Sequence, residues 1–468
     1  MIRTAGYLSA LCLLVTPAVA SAYTVTLTPG SLAESMKEIA ASGDSSLKLE
    51  GNADIRDLLR LQSLPPAVTD LDMSGLRIVE YSSNRPYYDG RSIFRADELP
   101  ANLFFGSGLR SVSLPDNIKE LPEGLFAGSE VEAVAIPSTV VRISPRAFYS
   151  CTRLGTVSFP TSLSYIGEEA FAGCTSLTRV DLAATSLKEL GRRAFFGDSS
   201  LADVTLSPAL TGIGEEAFSG ACIRSLDASM ATRLDSFSLS GMKYAESVRV
   251  NADASYGDGV LMANGSLKEA SGIPSDLPAL LLAQSPLTDI GPAVSAANVI
   301  GEYALAANNM DKITLSSDLG RVARGAFYAM PRLVSIDATA LRGSLPEADD
   351  ESFRGINQSA ITLYVSEGYE AMWSLHPAWG RFKIAKVGVD APVADESEIR
   401  VAASDGTVTV KASEIIERAE VFGKGGELLA MSSPGDTECR LDMAGDCDII
   451  VVRVTTPSVT KSFKIMMR

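Results

Sequence analysis

Residues 154–174 read Leu154-Gly-Thr-Val-Ser-Phe-Pro160-Thr-Ser-Leu163-Ser-Tyr-Ile166-Gly167-Glu168-Glu169-Ala170-Phe171-Ala-Gly173-Cys174. Val157 and Phe159 alternate with Thr156 and Ser158, the period of a short strand with one buried face. Pro160 cannot donate to a strand ladder and ends it. Leu163 and Ile166 return the chain across a core, and Gly167 permits a tight bend. Glu168 to Phe171 is long enough for about one helical turn, with Phe171 pointing inward. A unit this small cannot bury its own apolar face, but stacked neighbours can.

The pattern recurs. Six segments begin at Leu109, Val131, Leu154, Leu177, Leu201 and Ile223, in steps of 22, 23, 23, 24 and 22 residues. The copy at Leu201 repeats Val204, Leu206, Ile213 and Gly214-Glu215-Glu216-Ala217-Phe218; the copies at Leu177 and Val131 carry Ala194-Phe195 and Ala147-Phe148. Clear copies resume at Met310, with Gly325-Ala326-Phe327, and at Leu333, with Ile336 and Phe353. The repetition predicts a solenoid of short parallel strands, turns and brief helices, with each buried residue type in a column. Residues 253–298 hold Gly257, Gly259, Pro274, Pro278, Pro286 and Pro292 and read as an irregular stretch of degenerate units with insertions.

Outward from the repeats, the chain organises itself. Residues 1–22 read as an export signal: Arg3, an apolar run from Tyr7 to Val15, then small residues at Ala18, Ala20 and Ala22. Residues 23–98 form an N-terminal cap and opening region, with Leu32, Met36 and Ile39 at helical spacing behind Ser31. The solenoid is assigned to 99–387, closed by an aromatic cap at 361–387 containing Trp373, Trp379 and Phe382. Residues 388–398 have linker composition. Residues 399–468 lose the repeat and show short strands with Gly-rich turns, the pattern of a small β-sandwich.

Composition narrows the chemistry. The 468 residues carry 41 Lys and Arg against 57 Asp and Glu, a net charge of −16, which argues against nucleic acid or an anionic membrane as partner. His376 is the single histidine, so multi-histidine metal sites are impossible and histidine-based triads have one choice. The six cysteines form no CxxC pair. No second run long enough to span a membrane follows the export signal. We expect no catalytic residues, no metal and no cofactor. Glu168-Glu169 and Glu215-Glu216 resemble carboxylate pairs but share a repeat position, which marks a solvated edge. Cys151 and Cys174 also share one; they read as a column of small buried thiols, with a disulfide as the alternative. Cys439 and Cys447 are a further possible pair, and Asn251 to Gly259 has a faint calcium-loop composition.

The element strand-Pro-x-x-(Val/Leu)-x-x-Ile-Gly-x-x-Ala-Phe-x-x-Cys resembles the BspA-like leucine-rich repeat family of bacterial surface proteins. Ile361 to Tyr369 with Trp373, Trp379 and Phe382 is similar to that family's closing cap, and Leu49-Glu-Gly51, Leu71-Asp-Met-Ser-Gly75 and Leu99 to Phe104 to its opening region. The resemblance implies a non-enzymatic, adhesin-like protein, secreted or on the outer cell surface (periplasmic as the alternative), that binds a host matrix protein, another bacterium or a glycan. The C-terminal module resembles a type IX secretion sorting domain at Val451-Val-Arg-Val454 and Lys461-Ser-Phe-Lys464.

Two surfaces are the candidate binding sites. One is the outward face of the strands, with Ser111, Ser113, Thr156, Ser158, Arg179, Asp181, Asp203, Thr205, Ser225 and Asp227, expected to form one continuous sheet face. The other is the insertion Tyr81 to Arg91, where Tyr87, Tyr88 and Arg91 are of the types enriched at binding hot spots. The competing readings are an enzyme with paired acids outside the repeat columns and a spacer without a ligand.

Overall fold

Pointing one aromatic ring per coil inward creates a surface that only another coil can cover. The computed structural model describes residues 22–287, 294–342, 344–387, 399–404, 407–423, 428–442, 449–456 and 460–466. In it, Phe104, Phe126, Phe148, Phe171, Phe195 and Phe218 lie in a single file, each ring stacked on the next at 4.9–5.6 Å. All six are essentially inaccessible to solvent. The file continues through Leu239, Leu261, Leu282 and Leu305 to Phe327 and Phe353. The protein is a parallel-strand leucine-rich repeat solenoid, divided at Val387 from a second unit.

Backbone hydrogen bonds lock the file. The N–H of Phe126 donates to the carbonyl of Ala147, that of Phe148 to Ala170, and that of Phe171 to Ala194, at 2.7–2.8 Å. The return leg of each coil adds a two-residue strand. From Glu120–Leu121 to Ser255–Tyr256 these make one seven-stranded parallel sheet that buries Leu121, Ile143, Ile166, Leu190, Ile213 and Leu234.

The expected helical turn does not form. At its second residue each coil enters the left-handed region: φ is 58° at Arg146, 52° at Glu169, 53° at Arg193 and 53° at Glu216. An L-residue there cannot continue a right-handed helix, so the segment folds as successive tight turns. A second left-handed position lies two residues beyond each column ring. It is held by Gly106, Gly128, Gly173, Gly197, Gly220, Gly241 and Gly355, but by Ser150, Ala263, Gln284, Ala307 and Ala329 elsewhere. Gly167 is not the bend residue the sequence suggested. A Cβ there would stand 2.7 Å from the backbone nitrogen of Pro145, and one at Gly191 would stand 2.5 Å from Gly167. These glycines let one coil rest on the previous one.

Residues 253–298 were expected to be irregular. Their described part continues the coil: Ser255–Tyr256, Glu269–Ser271 and Asp276–Leu277 pair in register with neighbouring rungs. Val260-Leu261 and Leu281-Leu282 fill the Ala-Phe positions, and the aliphatic substitution hides the repeat from sequence. Conversely, the unit at Leu154 has the clearest sequence, but its first strand is reduced to one bridge, Thr156 to Arg179. Its Phe159, where other units have Leu114, Leu182 or Leu206, sets its ring edge-on to Phe171 at 5.7 Å.

The N-terminal end is sealed by β1 (Tyr23–Leu27), α1 (Leu32–Ser42), β2 (Ser46–Ala53) and α2 (Ile55–Arg60). β2 pairs with β3 (Asp70–Asp72) and with β4 (Leu76–Ile78), and β3 pairs in turn with Ser111–Ser113, all in parallel. Ser31 precedes α1 but does not cap it; its hydroxyl accepts the Thr28 N–H. The buried Asp57 of α2 does that work, accepting the N–H groups of Gly30, Leu32 and Asp54 at 2.6, 2.9 and 3.1 Å. At the other end Trp379 lies 4.5 Å from Phe353 and donates its indole N–H to the Pro346 carbonyl, closing the file.

The second unit holds two antiparallel sheets. Arg400–Ser404, Thr407–Ile416 and Asp436–Asp442 form one; Leu428–Ser432, Arg418–Gly423, Ile449–Thr455 and Thr460–Met466 form the other. They share a core of Val408, Val410, Val421, Leu441, Ile450, Val452 and Val454, as in a small sandwich. The expected export signal, apart from Ala22, and the linker lie outside the described residues.

Two stability outcomes follow. Phe171→Ala leaves a gap between two rings and should lower the urea-unfolding free energy by about 3–5 kcal/mol. Ala329→Gly should do the reverse of an ordinary Ala-to-Gly change: with φ at 52°, it should stabilise by about 1 kcal/mol, measured in the same titration.

Candidate binding surface

Strand alternation decides which side chains can meet a ligand. In the pair Arg179–Asp181 and Asp203–Thr205, Val180 faces Val204 in the core, so Arg179, Asp181, Asp203 and Thr205 share the outer face. Arg179 sits opposite Asp203 and forms an ion pair with Asp181 at 3.1 Å. The expected continuous face is interrupted. Ser111 and Ser113 belong to the first sheet, Arg179 to Thr205 to a two-stranded sheet, and Ser225 and Asp227 to a third. The break at residues 156–158 follows from the poorly formed strand of that unit.

The third sheet, Ser225–Asp227, Ser247–Arg249 and Glu269–Ser271, is the floor of an open cleft of about 750 Å³. Asp227, Arg249 and Glu269 supply alternating charge, and Asn251 and Ala252 form one wall. The N–H of Ser229 donates to the Asp227 carboxylate at 2.9 Å. Hydrogen bonding from Ser229, with Arg249 nearby, holds that carboxyl below its ordinary range. Arg249 and Glu269 escape the sequence reading because their two units lack the Ala-Phe signature; the alternation in Ser247-Val-Arg249 is the available signal.

Tyr81 to Arg91 belongs to a hairpin. β5 (Tyr81–Ser82) pairs antiparallel with β6 (Ile93–Phe94), and Tyr88 bridges Arg91 across Asp89-Gly90, both at positive φ. Asp-Gly between two paired residues is a strong turn signal. Tyr87 is exposed and lies edge-on to Tyr81 at 5.4 Å, while Arg56 covers Tyr81 at 4.9 Å. Tyr88 is half-buried, its hydroxyl 3.4 Å from the Ala101 carbonyl, and Arg91 lies over Phe94 at 5.1 Å. The structure brings Tyr87, Tyr88 and Arg91 together on this hairpin. It does not join them to Arg179, Asp181, Asp203 and Thr205, which lie several rungs further along the solenoid.

The remaining candidates are structural in their contacts. Glu168 pairs with Arg192, Glu169 with Arg146 at 2.7 Å, and Glu216 with Arg193, each bridging adjacent coils. His376 follows the helix Glu370–Leu375, and its Nδ1 accepts the N–H groups of Ala378 and Trp379. The Asn251 side chain accepts the Asp253 N–H, and its carbonyl accepts the Tyr256 hydroxyl at 2.7 Å, so the calcium-like stretch is an ordinary turn. Among the described residues, no group of three His, Cys, Asp or Glu is placed to hold a metal.

Cys151 and Cys174 belong to a column three residues beyond each ring. Cys151 and Cys174 are buried and unpaired, and their thiols donate to the carbonyls of Phe126 and Phe148 at 3.0 and 3.1 Å. Burial pushes the Cys174 thiol well up. The same column holds Asp198, Asn264 and Asn308. Asn264 accepts the Met242 N–H and donates to the Leu239 carbonyl; Asn308 donates to that of Leu282. Asp198 is fully buried, accepts the Cys174 N–H at 2.8 Å, and leaves Oδ2 without a partner. Burial raises its carboxyl well above the ordinary range. Cys439 is buried in the second unit, and its possible partner Cys447 lies outside the described residues.

Stacked rungs of this kind define a class, the leucine-rich repeat proteins. Residues 119–244 and 293–369 match the BspA type leucine rich repeat region in six copies. A leucine-rich repeat protein from Bacteroides ovatus is similar in structure, with 18% identity and a TM-score of 0.50 over 72% of this chain and 84% of that one. A leucine rich cell surface protein from Faecalibacterium prausnitzii has 17% identity and a TM-score of 0.33, over 64% and 90%. The pneumococcal vaccine antigen PcpA has 14% identity and a TM-score of 0.36, over 73% and 80%. The likeness to the Bacteroides ovatus protein, at this identity, is one of fold. No curated protein matches the chain.

Asp198→Asn supplies the donor that Asn264 and Asn308 already supply. The folded carboxyl holds its proton above the unfolded value of about 4, so native stability falls as pH rises from there through the folded value. The variant should therefore gain about 1–3 kcal/mol at neutral pH and progressively less toward pH 4, as read from melting curves across pH.

Proposed function

We propose that this is an exported, non-enzymatic repeat protein that binds macromolecules at the cell surface, in an adhesin-like role. The observation that carries the reading is the division of each coil into a rigid buried spine and a strand face of solvent-exposed side chains. Repeating units of that kind present an extended surface whose chemistry can vary without disturbing the core. The cleft around Asp227, Arg249 and Glu269 and the patch Arg179, Asp181, Asp203 and Thr205 are polar, charged on both signs and shallow, which suits a protein or glycan surface more than a small molecule. The hairpin adds Tyr87, Tyr88 and Arg91. The N-terminal signal pattern supports export, and among the described residues no helix is long and apolar enough to cross a membrane. The sandwich of 399–468 fits a sorting module for passage across the outer membrane.

The test is capture by the purified chain from a panel of matrix proteins, bacterial-surface extracts and glycans. Charge reversal in the cleft (Asp227→Arg, Arg249→Glu and Glu269→Arg together) and Tyr87→Ala plus Tyr88→Ala should each weaken capture of a matrix or bacterial-surface protein at least tenfold with unchanged melting temperature. No specific capture by the parent chain would favour the spacer reading; a hydrolytic product in the glycan arm would favour the enzyme. Deleting residues 396–468 should stop the protein in the periplasm, and normal surface delivery would remove the sorting role.

A further inference from the structure

The residue after each column ring faces away from the core. Along six successive rungs it is Phe105, Ala127, Tyr149, Ala172, Phe196 and Ser219. Backbone hydrogen bonds hold these positions in register: Gly106 donates to the Ala127 carbonyl, Gly128 to Tyr149, Ser150 to Ala172 and Gly173 to Phe196, all at 2.7–2.9 Å. Aromatic and small residues alternate. Phe105, Tyr149 and Phe196 are 67%, 41% and 38% exposed, while Ala127 and Ala172 between them are buried. Three rings therefore stand on a low ridge at a two-rung interval, about 10 Å for strands at ordinary spacing. The fold does not need them, since Ala and Ser occupy the same positions in adjacent coils. A series of exposed rings at regular spacing marks an interaction site.

The period selects the partner. An extended peptide strand presents the same face about every 6.8 Å, too short for this interval. In an extended β-1,4-linked polysaccharide each pyranose advances the chain by about one rung, and the same apolar sugar face returns at every second residue. Charge narrows the choice further. Arg146 lies over the Tyr149 ring at 5.9 Å and Arg193 over the Phe196 ring at 5.2 Å, leaving the other ring face for a ligand, and Glu169 and Glu216 on the next rungs neutralise the two cations. With a net charge of −16 on the chain, the ridge suits a neutral polymer and not an anionic one. At the Phe105 end it runs into a cleft of about 740 Å³ lined by Gln62, Pro65, Pro66 and Asn102, a continuation with polar groups for sugar hydroxyls.

We infer that Phe105, Tyr149 and Phe196 form a track for a neutral, extended β-1,4-linked polysaccharide, one ring stacking under every second sugar. This deepens the surface-binding reading by naming a ligand class, and it uses a segment of each coil other than the strand face.

The experiment is co-sedimentation of the full chain with cellulose and with chitin, which separates plain from N-acetylated sugars, followed by calorimetric titration with soluble oligomers of graded length from the better binder. Retention on at least one polymer is expected, with affinity climbing until the oligomer reaches all three rings. Tyr149→Ala should cost about tenfold, and Phe105→Ala, Tyr149→Ala and Phe196→Ala together should abolish retention without changing the melting temperature. Retention on neither polymer, unchanged retention by the triple variant, or stronger binding to a polyproline peptide of matching repeat would overturn the track. The cleft charge-reversal variant separates the two readings: it should keep glycan retention. Loss of glycan in that variant, with the triple variant still binding, would move the glycan to the strand face and refute the ridge.

Discussion

One buried phenylalanine per coil, lying flat on the ring of the next, is the contact on which the molecule depends. From Phe104 to Phe218 the spacing stays within 4.9–5.6 Å, and that spacing sets everything around it. Coils this close leave no room for a Cβ at Gly167 or Gly191. They place each ring's N–H within reach of the next coil's carbonyl. They also force the ends to be covered, by α1 and α2 at one and by Trp373, Trp379 and Phe382 at the other.

The interior is not uniformly apolar. Three residues beyond the ring, thiols and amides reach back to the carbonyl of the previous coil, and this polar column ties the tight turns together. Asp198 is its misfit. It accepts as Asn264 does but has no amide N–H to return to the previous coil, and its Oδ2 is left without a partner. Outside the core the constraint relaxes. Each coil contributes a strand face and a ridge position that the spine does not dictate, so two independent surfaces are available for recognition.

The period of 22–24 residues was legible because Ala-Phe recurs in the same frame as Ile-Gly. Where Val260-Leu261 and Leu281-Leu282 replace it, the frame persists in the structure but not in the letters. Left-handed conformations at Arg146 and Glu169 were invisible, since neither residue type advertises positive φ; the result was an expected helical turn where tight turns stand. Outward strand residues such as Arg179 and Asp203 were placed correctly by alternation. Their grouping was not, because Phe159 disturbs one rung and breaks the sheet. The ridge aromatics were overlooked for a related reason: Phe105 and Phe196 each adjoin a core phenylalanine, and only coordinates separate the ring that faces in from the one that faces out.

Native-state hydrogen exchange is the most direct measurement of coil-on-coil stacking. The amides of Phe126, Phe148, Phe171 and Phe195 each donate across a rung boundary. They should be among the slowest in the chain and should open together, with one common free energy under mild denaturant. Exchange of these four at the rate of the exposed Asp89-Gly90 turn, or with unrelated opening energies, would contradict a shared spine.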